Sequence, residues 1–568
     1  MLYRWKLKQH SQPIPEVVRE RFHLPPLVAR ILANRGIVSS EDIEKFLYPS
    51  LDYLFDPFLM KDIGKAVCRV SRAIDNSEKI LIFGDYDVDG VTATALLYRF
   101  FRSIGSNVDF YIPDRDREGY GLSEKGLEKA RDKGVNLVIT CDCGINAFRE
   151  VEFAKSLGMD IIVTDHHEPG DTLPSAYAVV DPKRKDDSYP FKELCGAGVA
   201  FKLLYALCSY RNIPYNLVNR HLDLVAIGIA ADLVTVLGEN RILLSEGLKI
   251  LNNTTKPGLK ALIEVSGLTN TSIEVVNIVF GLAPRLNAAG RIGDASRAVN
   301  LLITDDPAEA LKIAKVLEEE NRRRQNIERK TIDDAILQLN ATHDLERDKI
   351  IVLGSENWHP GVIGIVASKI KEGYNRPVVL VSFQDKVGKG SARSIDGFDI
   401  YQAFLKCSEL LERFGGHKMA AGLVIRQEKF PLLVDKLKKI ADLEIQNEAL
   451  VPFIEIDSEI SFAEINQELM EFLNRMAPYG PGNMRPLFIA RGLSVSGQPR
   501  VINENHLIFK VSQGRTVISA VGWRMVEQFE LLISGKPLNM AFVIEENSYN
   551  GLTEIQLNVK DIEYDRTG

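Results

Sequence analysis

Short apolar segments alternate with longer amphipathic segments from Ile80 onward. The apolar segments read "ILIF", "VDFYIP", "NLVIT" and "DIIVT", and helical patterns such as "VTATALLYRFFRSIG" and "LSEKGLEKARDKG" separate them. Strands that alternate with helices in this way predict a parallel sheet with helices on both faces. We assign residues 67–250 to this α/β domain and residues 1–66 to a preceding segment. In such a domain we expect the site at the carboxyl ends of the strands.

The rest of the chain predicts three further regions. Residues 251–345 have mainly helical patterns and end in a long spacer helix, for which Asp306 followed by Pro307 is a plausible start. Residues 346–450 return to a strand, helix, strand pattern, in which "GKGSARS" and "FGGHKMAAG" are predicted to be glycine-rich turns. Residues 451–568 carry the short alternating segments that are typical of a small β-barrel or sandwich.

The composition changes this picture in only a few respects. The chain has 568 residues, of which 45% are hydrophobic and 26% are charged, as in ordinary globular proteins. Its apolar stretches are too short to span a membrane and its start lacks the apolar core of a signal peptide, so we expect a cytoplasmic protein. Six cysteines are too few for a disulfide framework. The net charge of −7 provides no global attraction for nucleic acid, so a polyanion would need local basic patches or bound metal ions.

Acidic residues and imidazoles cluster where the predicted strands end. Three groups follow three strands: Asp85, Asp87 and Asp89; Asp142; and Asp165, His166 and His167. Taken singly, an aspartate in a turn usually caps a helix, and a histidine pair is usually a surface or core feature. Together, so many carboxylates in one crevice would repel each other unless cations neutralised them. A metal site is therefore the preferred interpretation.

The types of ligand discriminate between metals. Carboxylates with one or two imidazoles and no thiolate favour Mn²⁺ or Mg²⁺ over structural zinc. Two such ions about 3.5–4 Å apart can activate water and stabilise both the attacking and the leaving oxygen of a phosphoryl group. The sequence thus predicts hydrolysis of a phosphodiester or a pyrophosphate.

These motifs resemble a known family. "GDYDVDG", "ITCDCG" and "TDHHEPG" are similar to the first three motifs of the DHH phosphoesterase family, and Asp232 in "VAIGIAADLVTVLGENR" matches the fourth. Further motifs, among them "LAPRLNAAGRIGDA", "WHPGVIGIVASKI", "FGGHKMAAG" and "APYGPGNMRPLF", resemble those of the long family members that degrade single-stranded DNA from the 5′ end in recombination and repair. The resemblance implies a DHH catalytic domain, a DHH-associated substrate-binding domain and a C-terminal OB-fold that binds single strands.

The resemblance also implies roles for particular residues. The implied metal ligands are Asp85, Asp87, Asp89, Asp142, His166 and Asp232. Asp142 is the expected bridge between two Mn²⁺ or Mg²⁺ ions, and His167 is expected to meet the scissile phosphate or the leaving oxygen, so that His167, Asp89 and Asp142 form the catalytic set. How the three clustered aspartates divide between the ions stays open.

The predicted substrate-binding residues are basic or small. They are Arg115, Arg285, Asn287, Arg291, Ser391, Arg393, Gly415, Gly416 and His417. From the residues alone, Arg115 and Arg117 suit phosphate recognition or a solvated loop equally well, and the resemblance favours Arg115. The other groups are also compatible with a capped helical turn or with tight turns packed on a helix. In the predicted barrel, Phe488, Phe509 and Trp523 are either stacking residues or, more commonly, core residues.

Two other functions are compatible with parts of the sequence. One is a phosphodiesterase for short oligonucleotides or cyclic dinucleotides, which the spacer helix and the barrel disfavour. The other is a non-catalytic single-strand-binding scaffold, which the complete set of acidic positions disfavours. The resemblance further implies a monomer, with a single-strand-binding protein and a RecQ-type helicase as partners.

Overall fold

The computed structural model describes residues 3–8, 12–115, 117–549 and 552–565. The chain forms two compact units. The first contains Met1–Arg4, Pro284–Arg297 and Lys312–Phe453, and the second contains Trp5–Ala283, Ala298–Leu311 and Ile454–Gly568. Within the described residues, every helix is too short or too polar to cross a bilayer.

In the described part of the N-terminal segment, a short strand precedes four α-helices, the last of which continues into the α/β domain. These elements are β1 (Arg4–Leu7), α1 (Glu16–Arg21), α2 (Pro26–Asn34), α3 (Ser40–Leu47) and α4 (Ile63–Asp75). The apolar faces of α2 and α3 belong to the same core as the C-terminal β-strands, with Ile31 and Phe46 buried together with Phe488. The segment therefore completes the core of the larger unit.

A five-stranded parallel sheet is the centre of the larger unit. Its elements are β2 (Ile80–Gly84), α5 (Val88–Ser103), β3 (Val108–Tyr111), α6 (Glu124–Asp132), β4 (Leu137–Cys141), α7 (Phe148–Ser156), β5 (Asp160–Thr164) and β6 (Ala178–Val180). The strand order is β3-β2-β4-β5-β6, and all pairs are parallel. The strands β2 and β4 are buried throughout, which explains their continuous apolar sequences. The order reverses between β2 and β4, and open α/β sheets bind ligands at such a reversal.

Helices follow the sheet, as the sequence predicts. They are α8 (Gly196–Arg211), α9 (Asn216–Asn219), α10 (Leu222–Asp232), α11 (Gly238–Asn252), α12 (Pro257–Val265), α13 (Val275–Asn277), α14 (Ala283–Ile292), α15 (Ser296–Ile303) and α16 (Pro307–Thr342), with a π-helical turn at Ile278–Leu282. The long helix α16 starts where predicted, because Asp306 Oδ1 accepts a hydrogen bond of 2.8 Å from the N–H of Ala308.

The smaller unit contains a mixed five-stranded sheet. Its elements are β7 (Ile351–Ser355), α17 (Ile363–Tyr374), β8 (Val378–Gln384), β9 (Val387–Arg393), α18 (Ile400–Leu405), β10 (Leu411–His417), β11 (Ala420–Arg426) and α19 (Phe430–Glu444). The strand order is β10-β11-β9-β8-β7, and only β7 and β8 pair in parallel.

The prediction of glycine-rich turns in this unit was wrong for "GKGSARS" and only partly right for "FGGHKMAAG". All of "GKGSARS" except its last residue lies within β9, and "FGGHKMAAG" covers the end of β10, a turn at Lys418 and Met419, and the start of β11. Glycine is rare in strands, so these segments looked like turns. Here the glycines allow close packing, since a Cβ on Gly388 would lie 2.6 Å from a methyl group of Val381. Residues of both segments pair with neighbouring strands of the sheet.

The C-terminal strands close into the predicted barrel. The elements are β12 (Phe453–Ile456), β13 (Ser458–Glu459), α20 (Gln467–Met476), β14 (Leu487–Ile502), β15 (His506–Gln513), β16 (Thr516–Gly522), α21 (Phe529–Ile533), β17 (Leu538–Tyr549) and β18 (Leu552–Tyr564). The order β14-β15-β16-β18-β17 is closed by pairing of β14 with β17. Phe488 and Phe509 are core residues, whereas Trp523 is 53% exposed.

Candidate metal centre

Three aspartates lie between the end of the central strand β2 and the first turn of α5. Asp87 caps α5, and its Oδ1 accepts hydrogen bonds from the N–H groups of Asp89 (2.9 Å) and Gly90 (3.1 Å). Asp85 and Asp89 are almost completely buried. The helix-capping interpretation thus accounts for Asp87 but leaves two buried carboxylates that need compensation.

Asp142 and His166 meet at the ends of the neighbouring strands β4 and β5. Nε2 of His166 lies 3.1 Å from Oδ1 of Asp142. The same nitrogen lies 3.9 Å from Oδ2 of Asp89 and 3.7 Å from Oδ2 of Asp232, the last residue of α10. Asp142 adopts a left-handed backbone conformation with φ of 62°, which is uncommon for residues other than glycine and occurs often at functional sites.

The candidate ligand atoms form three overlapping groups, in each of which the atoms lie within 4.8 Å of one another. The groups are Asp85, Asp87 and Asp142; Asp89, His166 and Asp232; and Asp142, His166 and His167. All six predicted metal ligands therefore occur in these groups. Asp142 belongs to two of them, the group with Asp85 and Asp87 and the group with His166 and His167.

The N-terminus of α8 holds Asp89 in place. Oδ2 of Asp89 accepts a hydrogen bond of 2.6 Å from the N–H of Gly196, and Oδ1 accepts one of 2.9 Å from the N–H of Ala197. Because a helix N-terminus carries a partial positive charge, it stabilises the anion and fixes the directions of its oxygens.

Two glycines allow the helices to approach the carboxylates closely. A Cβ on Gly196 would lie 2.6 Å from Cβ of Asp142, and a Cβ on Gly228 in α10 would lie 2.6 Å from Oδ1 of Asp89. Any larger residue at either position would have to displace a candidate metal ligand.

The electrostatics of the cluster show the cost of burying these groups together. Burial and a neighbouring carboxylate raise the pKa of Asp85 to about 8, that of Asp232 to about 8 and that of Asp89 to about 6. Burial and four nearby aspartates raise the pKa of Asp142 well above its ordinary value. Burial lowers the pKa of His166 to about 3, which keeps the imidazole neutral and able to bind a metal.

Asp165 orients His167 from behind. Oδ1 of Asp165 lies 2.7 Å from Nδ1 of His167 and accepts hydrogen bonds from two backbone N–H groups, and its Oδ2 accepts one from Ile145. Burial would lower the pKa of His167, but the hydrogen bond to Asp165 and the surrounding carboxylates outweigh it and raise the value to about 9. The ring is therefore a cation near neutral pH in the metal-free protein.

Two further residues of this site were not predicted. Tyr120 donates a hydrogen bond of 3.0 Å to the backbone oxygen of Asp142 and packs edge-on against His167. Asp181 follows β6, is fully buried, and has a pKa raised by burial to about 7. Asp181 carried a signal in the sequence, because it follows an apolar strand as the other site aspartates do. Tyr120 carried no such signal, since its position depends on a loop.

Arg115 lies beside an aromatic pair that leads to this site. Its guanidinium is 5.3 Å from the ring of Tyr86, and Tyr86 is edge-on to Tyr120 at 6.3 Å. Arg117 is exposed and lies 3.8 Å from Asp114, as a solvated loop residue would. The two arginines thus have different surroundings, and the role of Arg115 in phosphate binding stays a prediction.

The remaining predicted substrate residues lie in the smaller unit. Arg285 forms an ion pair of 2.7 Å with Glu318 of α16, and Arg291 donates a hydrogen bond of 3.4 Å to the backbone oxygen of Gly361. Asn287 is half-buried on α14. These contacts agree with a structural role for the "LAPRLNAAGRIGDA" motif. Its role in substrate binding stays a prediction.

The predicted groups on β9 and β10 differ in exposure. Arg393 donates to the hydroxyl groups of Ser368 (3.1 Å) and Ser391 (3.2 Å), and burial lowers its pKa. Gly415, Gly416 and His417 are exposed at the end of β10. These three residues are therefore accessible to a ligand, whereas Arg393 is already partly engaged.

The cluster has the unsatisfied atoms that a cation would engage. Among the residues that the structure describes, Oδ1 of Asp85, Oδ1 of Asp142 and both ring nitrogens of His166 are buried without a hydrogen-bond partner. Buried polar groups rarely stay unpaired in proteins. Carboxylate oxygens with one imidazole match the preferences of Mn²⁺ and Mg²⁺, so the residues fit a divalent metal.

A parallel α/β sheet with this acidic site at its reversal point, a second α/β domain and a closed barrel together define a metal-dependent phosphoesterase of the DHH class. Models of the DHH family N-terminal domain, the DHHA1 domain and the RecJ OB domain match residues 79–229, 347–442 and 456–561 respectively. The chain belongs to the RecJ family and is a hydrolytic nuclease.

Relatives along nearly the whole chain support this assignment. The single-stranded-DNA-specific exonuclease RecJ of Bacillus subtilis is 38% identical over 561 residues, which cover 98% of this chain and 70% of the relative. RecJ of Escherichia coli is 34% identical and covers 95% and 96% of the two chains. The crystal structure of Thermus thermophilus RecJ in complex with Mn²⁺ has a TM-score of 0.84 at 31% identity, and the match covers 99% of this chain and 80% of that one.

Proposed function

We propose that this chain is an exonuclease that hydrolyses single-stranded DNA from its 5′ end with the help of two Mn²⁺ or Mg²⁺ ions. The observation that carries the proposal is the convergence of six matched ligands, several of them buried and unpaired, in a member of a family whose relatives are named as single-stranded-DNA-specific exonucleases. Solved relatives contain Mn²⁺ or Mg²⁺.

The grouping of the candidate ligands supports an assignment of these residues to the two ions. Asp85 and Asp87 would hold one ion, Asp89, His166 and Asp232 would hold the other, and Asp142 would contact both. When bound, the ions supply Lewis-acid activation of water and of the phosphoryl group. The residues contribute fixed oxygen positions, because Asp87 and Asp89 are already bound by helix N-termini.

His167 would serve as the proton donor to the leaving oxygen. Asp165 holds Nδ1 and so leaves Nε2 as the nitrogen that faces the substrate. The raised pKa supports a ring that carries the required proton near neutral pH. A general acid at this position would make departure of the 3′ oxygen easier.

Arg115 would anchor the 5′ phosphate. A guanidinium can make two parallel hydrogen bonds to a phosphate, and the neighbouring rings of Tyr86 and Tyr120 offer faces to an unpaired base. Arg285, Asn287, Arg291, Ser391, Arg393, Gly415, Gly416 and His417 would line the path of the strand. We further propose a cytoplasmic monomer to which a single-strand-binding protein and a RecQ-type helicase deliver substrate.

The test is an end-label assay on the purified chain with Mn²⁺. Single strands labelled at either end, with or without a duplexed 5′ end, should release nucleotides from a free 5′ end only, and EDTA should stop the reaction. Cleavage regardless of which end is blocked, or full activity in EDTA, would contradict the proposal. Preference for dinucleotides over long strands would instead identify a short-oligonucleotide phosphodiesterase.

A further inference from the structure

A second polar cavity lies in the larger unit at the far ends of two helices that reach the metal centre. Helix α5 begins at the metal centre, and Arg99 lies about 15 Å further along its axis than Asp89. Helix α10 ends at Asp232 and is preceded by His221. Arg99 and His221 both line a cavity of about 630 Å³. None of the candidate metal ligands contributes to it.

Cationic side chains dominate the lining of this cavity. Arg99, Arg102, Arg220 and Lys256 line it together with one carboxylate, Asp305. Arg99 pairs with Asp305 at 2.7 Å, and Lys256 pairs with the buried Asp223 at 2.7 Å. Among the residues that the structure describes, Arg102 and Arg220 have no carboxylate at ion-pair distance. The cavity therefore has an excess of positive charge.

Two buried donors in the lining also lack acceptors. His221 is 3% exposed, and its Nε2 accepts a hydrogen bond of 3.4 Å from Nε of Arg220. Because Nε2 accepts, the proton of the neutral ring resides on Nδ1. Within the described part of the chain, Nδ1 of His221 and Nε of Arg99 are buried without a partner. Two such donors beside a cavity indicate that an acceptor belongs there.

The environment of His221 supports the same interpretation. Burial first, and then the charges of Lys256, Arg99 and Arg220, lower the pKa of His221 to about 2. Three cations thus surround a neutral imidazole. Such a concentration of positive potential in a partly enclosed cavity favours a bound anion.

We propose that this cavity binds a phosphate group, either inorganic or carried by a nucleotide. Guanidinium groups and N–H donors that approach from several elements match the many acceptor oxygens of a tetrahedral phosphate better than the two of a carboxylate. The volume is within the range of small-ligand sites and exceeds what a single phosphate occupies. The ring of Tyr98 also lines the cavity, 5.9 Å from the guanidinium of Arg102, and is an aromatic side chain that a base in the cavity would contact.

The test is calorimetric titration of the full chain in EDTA with inorganic pyrophosphate and with deoxyadenosine monophosphate. EDTA keeps divalent ions away, and the result does not depend on nuclease activity. The wild type should bind with a Kd below about 1 mM. The double variant Arg102→Ala with Arg220→Ala should bind roughly ten- to hundredfold more weakly, since charge-assisted hydrogen bonds are lost. Both side chains belong to exposed residues, so the fold should survive, which thermal unfolding checks.

A matched pair at His221 tests the donor itself. His221→Asn places an amide donor near the position of Nδ1 and should retain binding, whereas His221→Leu should weaken it. Arg149→Ala removes an exposed arginine of α7 and should leave binding unchanged. Equal affinity of the wild type and the folded double variant, or no detectable binding by the wild type, would overturn the proposal.

The two probes identify the form of the ligand. Tighter binding of deoxyadenosine monophosphate than of pyrophosphate, with a loss in Tyr98→Ala confined to the nucleotide, would assign the cavity to a nucleotide. Equal or tighter binding of pyrophosphate, insensitive to Tyr98→Ala, would assign it to inorganic phosphate groups. Both results support a phosphate site.

Discussion

Gly196→Ala should damage the metal centre although it removes none of the candidate ligands. The added Cβ would lie 2.6 Å from Cβ of Asp142 and 2.9 Å from its Oδ1. An ordinary contact of 3.4 Å requires the two residues to separate by about 0.8 Å. Because the N–H of Gly196 also binds Asp89, this shift should displace two candidate ligands. A misplacement of about 1 Å can cost roughly a hundredfold in rate, and overpacking a core costs about 1–3 kcal/mol.

The assay is kcat/KM for nucleotide release from a 5′-labelled single strand with Mn²⁺, together with urea unfolding. Gly64→Ala is the matched control, because the space around Gly64 in α4 is open. It should keep wild-type activity and gain up to about 1 kcal/mol of stability. If Gly196→Ala retained wild-type kcat/KM and wild-type Mn²⁺ affinity, the proposed dependence of the site on this close approach would be refuted.

Three further predictions follow from the charges at the site. The pKa values of Asp85 and Asp232 are raised to about 8, so the folded metal-free protein holds protons that the unfolded chain has released above about pH 4. The stability of the metal-free protein should therefore fall as the pH rises from about 4 to about 8. Mn²⁺ competes with these protons for the carboxylates, so thermal unfolding should show a larger stabilisation by Mn²⁺ at about pH 9 than at about pH 6. An equal stabilisation at the two pH values would count against the cluster as the metal site. Asp165→Asn should lower the pKa of His167 and reduce kcat by about 10²–10⁴-fold. The basic limb of the pH–rate profile should move to lower pH. A basic limb that does not move would exclude His167 as the general acid. Arg115→Ala should raise KM by about tenfold or more for strands with a 5′ phosphate and change KM little for strands without one. An equal effect on both kinds of strand would argue against Arg115 as the anchor of the 5′ phosphate.

The sequence predicted that these acidic residues and His166 lie together, because they follow directly on strand ends. Asp85, Asp142 and His166 follow parallel strands, and parallel topology brings those ends together. The roles of Gly196 and Asp165 could not be predicted, since they depend on how closely α8 approaches and on which atom a carboxylate faces.

Other features that the sequence did not indicate have equally physical causes. The glycines of β9 and β10 look like turn residues because glycine is depleted in strands, yet Gly388, Gly390 and Gly416 allow close packing within this sheet. The ion pair of Arg285 with Glu318 joins α14 to a distant part of the sequence, so the residue types could not indicate that this arginine was already engaged.

The number of bound ions tests the central claim most directly. Calorimetric titration of the metal-free chain with Mn²⁺ should give two sites in the wild type. Asp142→Ala, which removes the shared carboxylate, should bind fewer than two ions, stay folded and release no nucleotides from a 5′-labelled strand. Asp171→Ala, at a fully exposed side chain, is the control and should behave as the wild type. Two bound ions and wild-type turnover in Asp142→Ala would contradict the account.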